Sequence, residues 1–169
     1  VQLMAPVARI AEIQELLVLH ASMKRSAEIA FPLRVKDCVR TASRISRDTG
    51  TVVALISLGM SAHAEGSDDN ARAKATCDSD ASIELSSEYQ LTYRVPGISE
   101  FSDEQLDAFG CINGLYHAWP YWREYVQSSI ARMSLPPFTV PVLTVAELQT
   151  MEKTPDGAFS MRATPSESE

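Results

Sequence analysis

The sequence predicts an α+β fold, in which C-terminal helices pack on one face of an antiparallel sheet of about four strands. Alternating apolar residues indicate strands over 52–64 and 82–95, and a capped helical region begins at Ser102. The strand patterns all precede the helical region. This order favours an antiparallel sheet whose helices lie together on one side.

The clearest strand pattern spans residues 82–95. Its apolar parity comprises Ile83, Leu85, Tyr89, Leu91, Tyr93 and Val95, with Ser87 as the exception. The other parity is polar or charged, which is typical of a strand with one buried face and one wet face. The polar segment over 65–80 predicts a connection between antiparallel strands.

The segment TVVALISLGMSAHAE over 51–65 has the composition of a signal-peptide core, with a cleavage-like spacing at Ala62 and Ala64. Signal peptides are N-terminal, whereas this segment follows about fifty patterned residues, so we predict a buried strand instead. The segment is also too short to span a membrane, and we predict no direct membrane insertion.

Apolar residues occupy both parities of the chain over 12–24. A helix over 6–19 is one interpretation. A strand over 15–23 is the one we favour, partly because the family that the chain resembles through the motifs described below has a strand there. A further strand is predicted over 31–39, with one apolar face made by Phe31, Leu33 and Val35.

The helical region opens with a capping box, in which Ser102 is the N-cap and Gln105 is the N3 residue. Pro120 is predicted to break this helix, so that a second helix runs over 121–133 and ends before Pro136. An apolar stripe on the second helix comprises Trp122, Val126, Ile130 and Met133. The break should direct Trp119 away from that stripe.

A short strand or an extended segment is predicted over 138–142, and the residues from 150 onward show no periodicity. We therefore divide the chain into one domain over 1–149 and a disordered tail over 150–169.

The composition excludes several classes of function. The net charge is −7 over 169 residues, which disfavours a nucleic-acid-binding protein. The sequence has three cysteines without CxxC spacing, which indicates reduced thiols of the cytoplasm rather than disulfides or a metal site. It has no phosphate-binding loop and no nucleophile motif, so we predict neither a cofactor nor an enzyme.

Two motifs carry a resemblance to a known family. Residues 119–125 read WPYWREY on the predicted helix, and residues 135–140 read LPPFTV immediately after it. This order resembles the SecB family of export chaperones. The two motifs are most similar to those of the divergent SecB-like chaperones that accompany toxin–antitoxin systems.

The resemblance implies an ATP-independent chaperone that binds unfolded or precursor polypeptides, assembled as a cytoplasmic homotetramer. By analogy with the family and from spare apolar positions, the candidate client-binding residues are Leu17, Leu19, Phe31, Trp119 and Phe138. The sequence ASMKR over 21–25 stands where the family has an acidic patch that docks the SecA motor. This difference disfavours SecA docking and leaves an antitoxin as a candidate client.

The sequence leaves two roles open within the chaperone class, namely protein export and protection of an antitoxin. A protein–protein interaction scaffold or adaptor without chaperone activity is the alternative from another class. In that case the aromatic and aliphatic residues named above would form a core or a permanent interface.

Overall fold

The computed structural model describes residues 2–64 and 81–149, together with the backbone at 152–153 and 159–160. Four long strands come first: β1 (Glu12–Arg25), β2 (Leu33–Ser46), β3 (Thr51–Ala64) and β4 (Ile83–Arg94). The helices are α1 (Ala5–Ala8), α2 (Asp103–Arg132) and α3 (Val145–Gln149), and two short strands are β5 (Glu152–Lys153) and β6 (Phe159–Ser160). The predicted α+β architecture is confirmed.

The described strands form one antiparallel sheet in the order β1-β4-β3-β2-β6-β5. β1 is a strand, as favoured over a helix, and it is longer than predicted at both ends. Most of the predicted disordered tail lies outside the described residues. Its described parts are β5 and β6, and β6 pairs with β2 at Thr41 and Phe159.

The register sorts the side chains of the sheet onto two faces, because directly opposed residues point the same way. One face carries the buried apolar rows of β3 and β4, such as the pairs Ile56–Tyr89 and Ala54–Leu91. We call it the helix face, since α2 packs on it. The opposite, outer face carries the polar parities.

The helix α2 is continuous over 30 residues, so the predicted break at Pro120 is wrong. Its N-terminus has the predicted capping box between Ser102 and Gln105. Pro120 and Tyr116 both lie on the exposed side of the helix, where the carbonyl that loses its donor is open to water. Trp119 and Trp122, on either side of the proline in sequence, are both buried, and their packing in the core stabilises the continuous helix.

Two glycines allow α2 to approach the sheet closely. A Cβ atom at Gly110 would lie 2.7 Å from the Cβ of Ser43, and one at Gly114 would lie 2.7 Å from the Cβ of Ala54. A methyl group at either position would therefore collide with β2 or β3. The glycines cost helix propensity but permit the burial of the central strands.

The chain turns back along α2 after the helix ends. The indole Nε1 of Trp119 donates a hydrogen bond to the carbonyl of Pro141 at 2.9 Å, and Nε of Arg123 donates to the carbonyl of Val140 at 2.9 Å. The predicted extended segment over 138–142 is thus held against the helix by side chains of the WPYWREY motif.

Candidate polypeptide-binding surface

β1 exposes apolar side chains on both of its faces. Val18 pairs with Tyr89 and therefore lies on the helix face, whereas Leu17 pairs with Gln90 and lies on the outer face. α2 lies over β2, β3 and part of β4, and it leaves β1 uncovered. The exposed apolar residues of β1 are Ile13, Leu17 (40%), Val18 (57%), Leu19 (51%) and Met23 (47%). We call these five residues the β1 surface.

A bulge lies at the centre of the β1 surface. The register passes from Val18–Tyr89 to His20–Glu88, so Leu19 is an extra residue without a partner on β4. β1 also ends the sheet, and no described strand pairs with its second edge. That edge presents backbone donors and acceptors beside the exposed apolar side chains, which is the arrangement onto which another strand can pair.

The side of α2 above β4 forms an aromatic wall beside the β1 surface. His117, Tyr121 and Tyr125 follow at four-residue spacing and so share one side of the helix. The hydroxyl of Tyr93 on β4 lies 2.9 Å from Nδ1 of His117, which places this side over β4. Tyr121 is exposed and Tyr125 is half-buried. The uncovered strip therefore has a floor of β4 and β1 and a wall of tyrosine rings.

The ionisable groups under this wall are held neutral by burial. Burial raises the pKa of Tyr93 and lowers the pKa of His117, so the hydrogen-bonded pair is uncharged near neutral pH. Burial also raises the pKa of Tyr89 and Tyr125. The strip thus offers apolar and hydrogen-bonding contacts rather than charge.

A second exposed apolar region lies at the start of β2. Phe31 is 59% exposed in the connection between β1 and β2, and Val35 follows on the helix face. Asp37, opposite Met60, continues the same row. Among β1–β4 it is the one carboxylate on the helix face, and burial by neighbouring protein raises its pKa although the residue is accessible. An apolar surface with a single carboxylate suits a polypeptide segment that carries a cation.

The predicted client-binding residues fall into two groups. Leu17 and Leu19 lie together on the β1 surface, and Phe31 lies exposed before β2. Trp119 is only 8% exposed and belongs to the core under the returning segment, while Phe138 is half-buried against that core. The structure brings the first two together, and it places the tryptophan and Phe138 on the other side of α2.

Sequence analysis did not identify several residues of this surface. Val18 and Met23 were hidden within a strand that is apolar on both parities, and Asp37 continues the Leu33–Val35 parity as its one charged member. Tyr121 was named only as part of the motif around Pro120. Only Asp37 gave a signal in the sequence, as a charged residue on an otherwise apolar parity.

Other kinds of site find no support in the described part of the chain. Residues 2–64 and 81–149 contain no group of three or more His, Cys, Asp or Glu side chains placed to hold a metal ion. Among the described helices, none is long and apolar enough to cross a membrane.

Comparison with known proteins gives a result for structure but not for sequence. No family model and no curated protein matches the sequence. Among solved structures, the Mycobacterium tuberculosis SecB-like chaperone Rv1957, in complex with a ChAD peptide from the antitoxin HigA1 (Rv1956), matches with a TM-score of 0.65. The match covers 85% of this chain and 96% of the other, at 20% identity.

The chain has a SecB-like fold. The resemblance predicted from the motifs over 119–125 and 135–140 is thereby confirmed at the level of structure. A Streptococcus agalactiae protein of unknown function also matches, with a TM-score of 0.36 and 9% identity over 78% of this chain and 96% of the other, which is too distant to support an argument.

Proposed function

We propose that this protein is an ATP-independent chaperone that binds unfolded polypeptides through the β1 surface and the region of Phe31. The observation that carries the proposal is the exposure of apolar side chains on both faces of β1, at an unpaired sheet edge. A soluble monomer rarely leaves such a surface uncovered unless it binds another chain. The SecB-like fold supports the same conclusion.

The shape of the surface suits an extended client. Binding an unfolded segment costs ordering entropy, so many shallow contacts must be summed along the chain. Leu17, Leu19 and Phe31 offer such contacts at separate points. Trp119 and Phe138 stay predicted contacts, on the far side of α2. Asp37 and the net charge of −7 favour segments that carry Lys or Arg among apolar residues.

For the client itself, we favour an antitoxin over a general export precursor. The solved SecB-like structure holds a peptide from an antitoxin. In this chain Lys24 and Arg25 end β1 where the family carries an acidic patch, which disfavours docking to SecA. We expect the protein to act in the cytoplasm.

We further propose a homotetramer built as a dimer of dimers. A second copy can pair along the free edge of β1 in an isologous contact, which hides the backbone groups of both edges. Multi-angle light scattering at micromolar protein should then give four times the chain mass of 18.5 kDa. A monomer at that concentration would contradict the assembly.

Suppression of aggregation tests the function. A reduced, unfolded client diluted into buffer should stay soluble with stoichiometric protein, equally with and without ATP. Aggregation at the rate of the client alone would reject the proposal. If suppression fails and the protein binds one folded partner tightly, the scaffold or adaptor function is the better description.

A further inference from the structure

The charges of β2 are segregated by face. The register places Lys36, Arg40 and Arg44 on the outer face, opposite Ser61, Ser57 and Val53 of β3. Arg34 continues this row at the start of the strand, opposite His63. The one acidic residue of β2, Asp37, points to the helix face. All charged residues on the outer face of β2 are therefore basic, on a protein of net charge −7.

We call Lys36, Arg40 and Arg44 the basic row. All three are exposed, and none forms an ion pair within the described residues. Their partners across the sheet are small or apolar, whereas neighbouring strands commonly place opposite charges together. Successive members of the row are four residues apart, which is about 13 Å along the strand at about 3.3 Å per residue.

Within β1–β4, the acidic residues of the same face lie at least two strand spacings away from this row. Glu88 of β4 shares a cross-strand line with Ser57 and Arg40, and Glu84 shares one with Ser61 and Lys36. Two strand spacings separate the members of each pair, about 10 Å in the sheet. Between the basic residues of β2 and the glutamates of β4, the outer face of β3 carries the small residues Ser57, Gly59 and Ser61.

This separation also determines what could bind. A membrane surface or a nucleic-acid duplex is wider than one strand spacing, so it would bring its phosphates over Glu84 and Glu88 as well. A single extended polypeptide is about as wide as one strand. It can place carboxylates against the basic row and keep them away from the glutamates.

We propose that the outer face of β2 is a docking site for an acidic, extended polypeptide segment of a partner protein, distinct from the client surface. The partner is recognised by carboxylates spaced to meet Lys36, Arg40 and Arg44. β4 and β3 lie between β1 and β2 in the sheet, so a client on the β1 surface and this partner can be bound at once. The charge balance of the outer face, with every basic residue of β2 on it, carries this inference.

Fluorescence anisotropy of a labelled twelve-residue peptide of alternating Glu and Thr tests the proposal. Lys36→Glu/Arg40→Glu/Arg44→Glu should weaken binding by about tenfold or more, as expected when three exposed charge pairs become repulsive. The corresponding triple Gln variant should lie between that protein and the wild type. Binding should also weaken steeply with added NaCl, because salt screens exposed pairs.

A matched control reverses the same number of charges elsewhere. Arg9→Glu/Arg94→Glu/Arg132→Glu changes the net charge equally at exposed positions outside β2 and should alter the affinity less than about twofold if the row itself binds. Equal losses in both triple variants would overturn the proposal. So would binding of a Gln-Thr peptide as tight as that of the Glu-Thr peptide.

Two further measurements separate this site from other functions. Tighter binding of anionic vesicles or single-stranded DNA than of the acidic peptide, lost in the same triple Glu variant, would overturn the assignment to a polypeptide. Suppression of client aggregation should be unchanged in that variant. If suppression fails in the wild type while peptide docking survives, the chaperone proposal is wrong and the docking site stands.

Discussion

β1 and β3 have the same length of 14 residues but opposite surroundings. β3 has a strand on each side and α2 above it, and its helix-face row from Val52 to Ala62 is buried. Among the described elements, β1 has one neighbouring strand and no helix packed over it, and Leu17, Val18 and Leu19 are exposed. Apolar content alone therefore does not place a strand in the core. Burial of a strand depends on whether other elements pack over it, and no described helix packs over β1.

The contrast is sharpest for large side chains. Trp122 is 2% exposed on the buried side of α2, so Trp122→Ala should lower the free energy of unfolding by about 3–5 kcal/mol. Leu17→Ala on β1 should change it by less than about 1 kcal/mol, because the side chain is already open to water. Denaturant melts of the two variants provide the measurement. Equal losses would mean that β1 is as well packed as the core.

The approach of α2 to the sheet gives a smaller effect. Gly114→Ala would bring a methyl group into Ala54 and should destabilise the protein by about 1–3 kcal/mol, although alanine favours a helix. Gln127→Ala, on the exposed side of the same helix, is the control and should change stability by less than about 0.5 kcal/mol. A stabilised Gly114→Ala protein would show that the helix lies further from β3.

Asp37 should show the smallest effect on stability, with a defined pH dependence. Its pKa is raised on folding from 3.8, so folding disfavours the carboxylate, and stability is lost as the pH rises through the raised pKa. Asp37→Asn should therefore be at least as stable as the wild type at neutral pH. Melts across the acid range should show this pH dependence in the wild type and its absence in the variant. A variant that is less stable at neutral pH would contradict this assignment.

Much of the fold could be predicted from sequence because β3 and β4 alternate regularly under one layer of cover. The capping box at Ser102 likewise depends only on local chemistry. Pro120 was misjudged because its local cost is outweighed by the burial of Trp119 and Trp122, which depends on the whole helix packing against the sheet. The role of Gly114 could not be predicted from sequence, since its contact with Ala54 arises only after folding.

The candidate site could be predicted only in part. Leu17 and Leu19 were named from spare apolar positions and by analogy with the family, and both are exposed on β1. The lack of cover over Val18 depends on where α2 crosses the sheet, which no local pattern encodes. Trp119 was placed at a groove by the expected helix break. In the structure its indole donates a hydrogen bond to the carbonyl of Pro141, and its contact with a client stays a prediction.

Suppression of client aggregation by β1 variants tests the central claim most directly. Leu17→Ser/Leu19→Ser should keep the fold, since both side chains are exposed, and light scattering should first establish that its mass equals that of the wild type. We expect this variant to lose most of its ability to keep a reduced, unfolded client soluble. Full suppression by the variant, at the wild-type mass and stoichiometry, would contradict the claim that β1 binds unfolded chains.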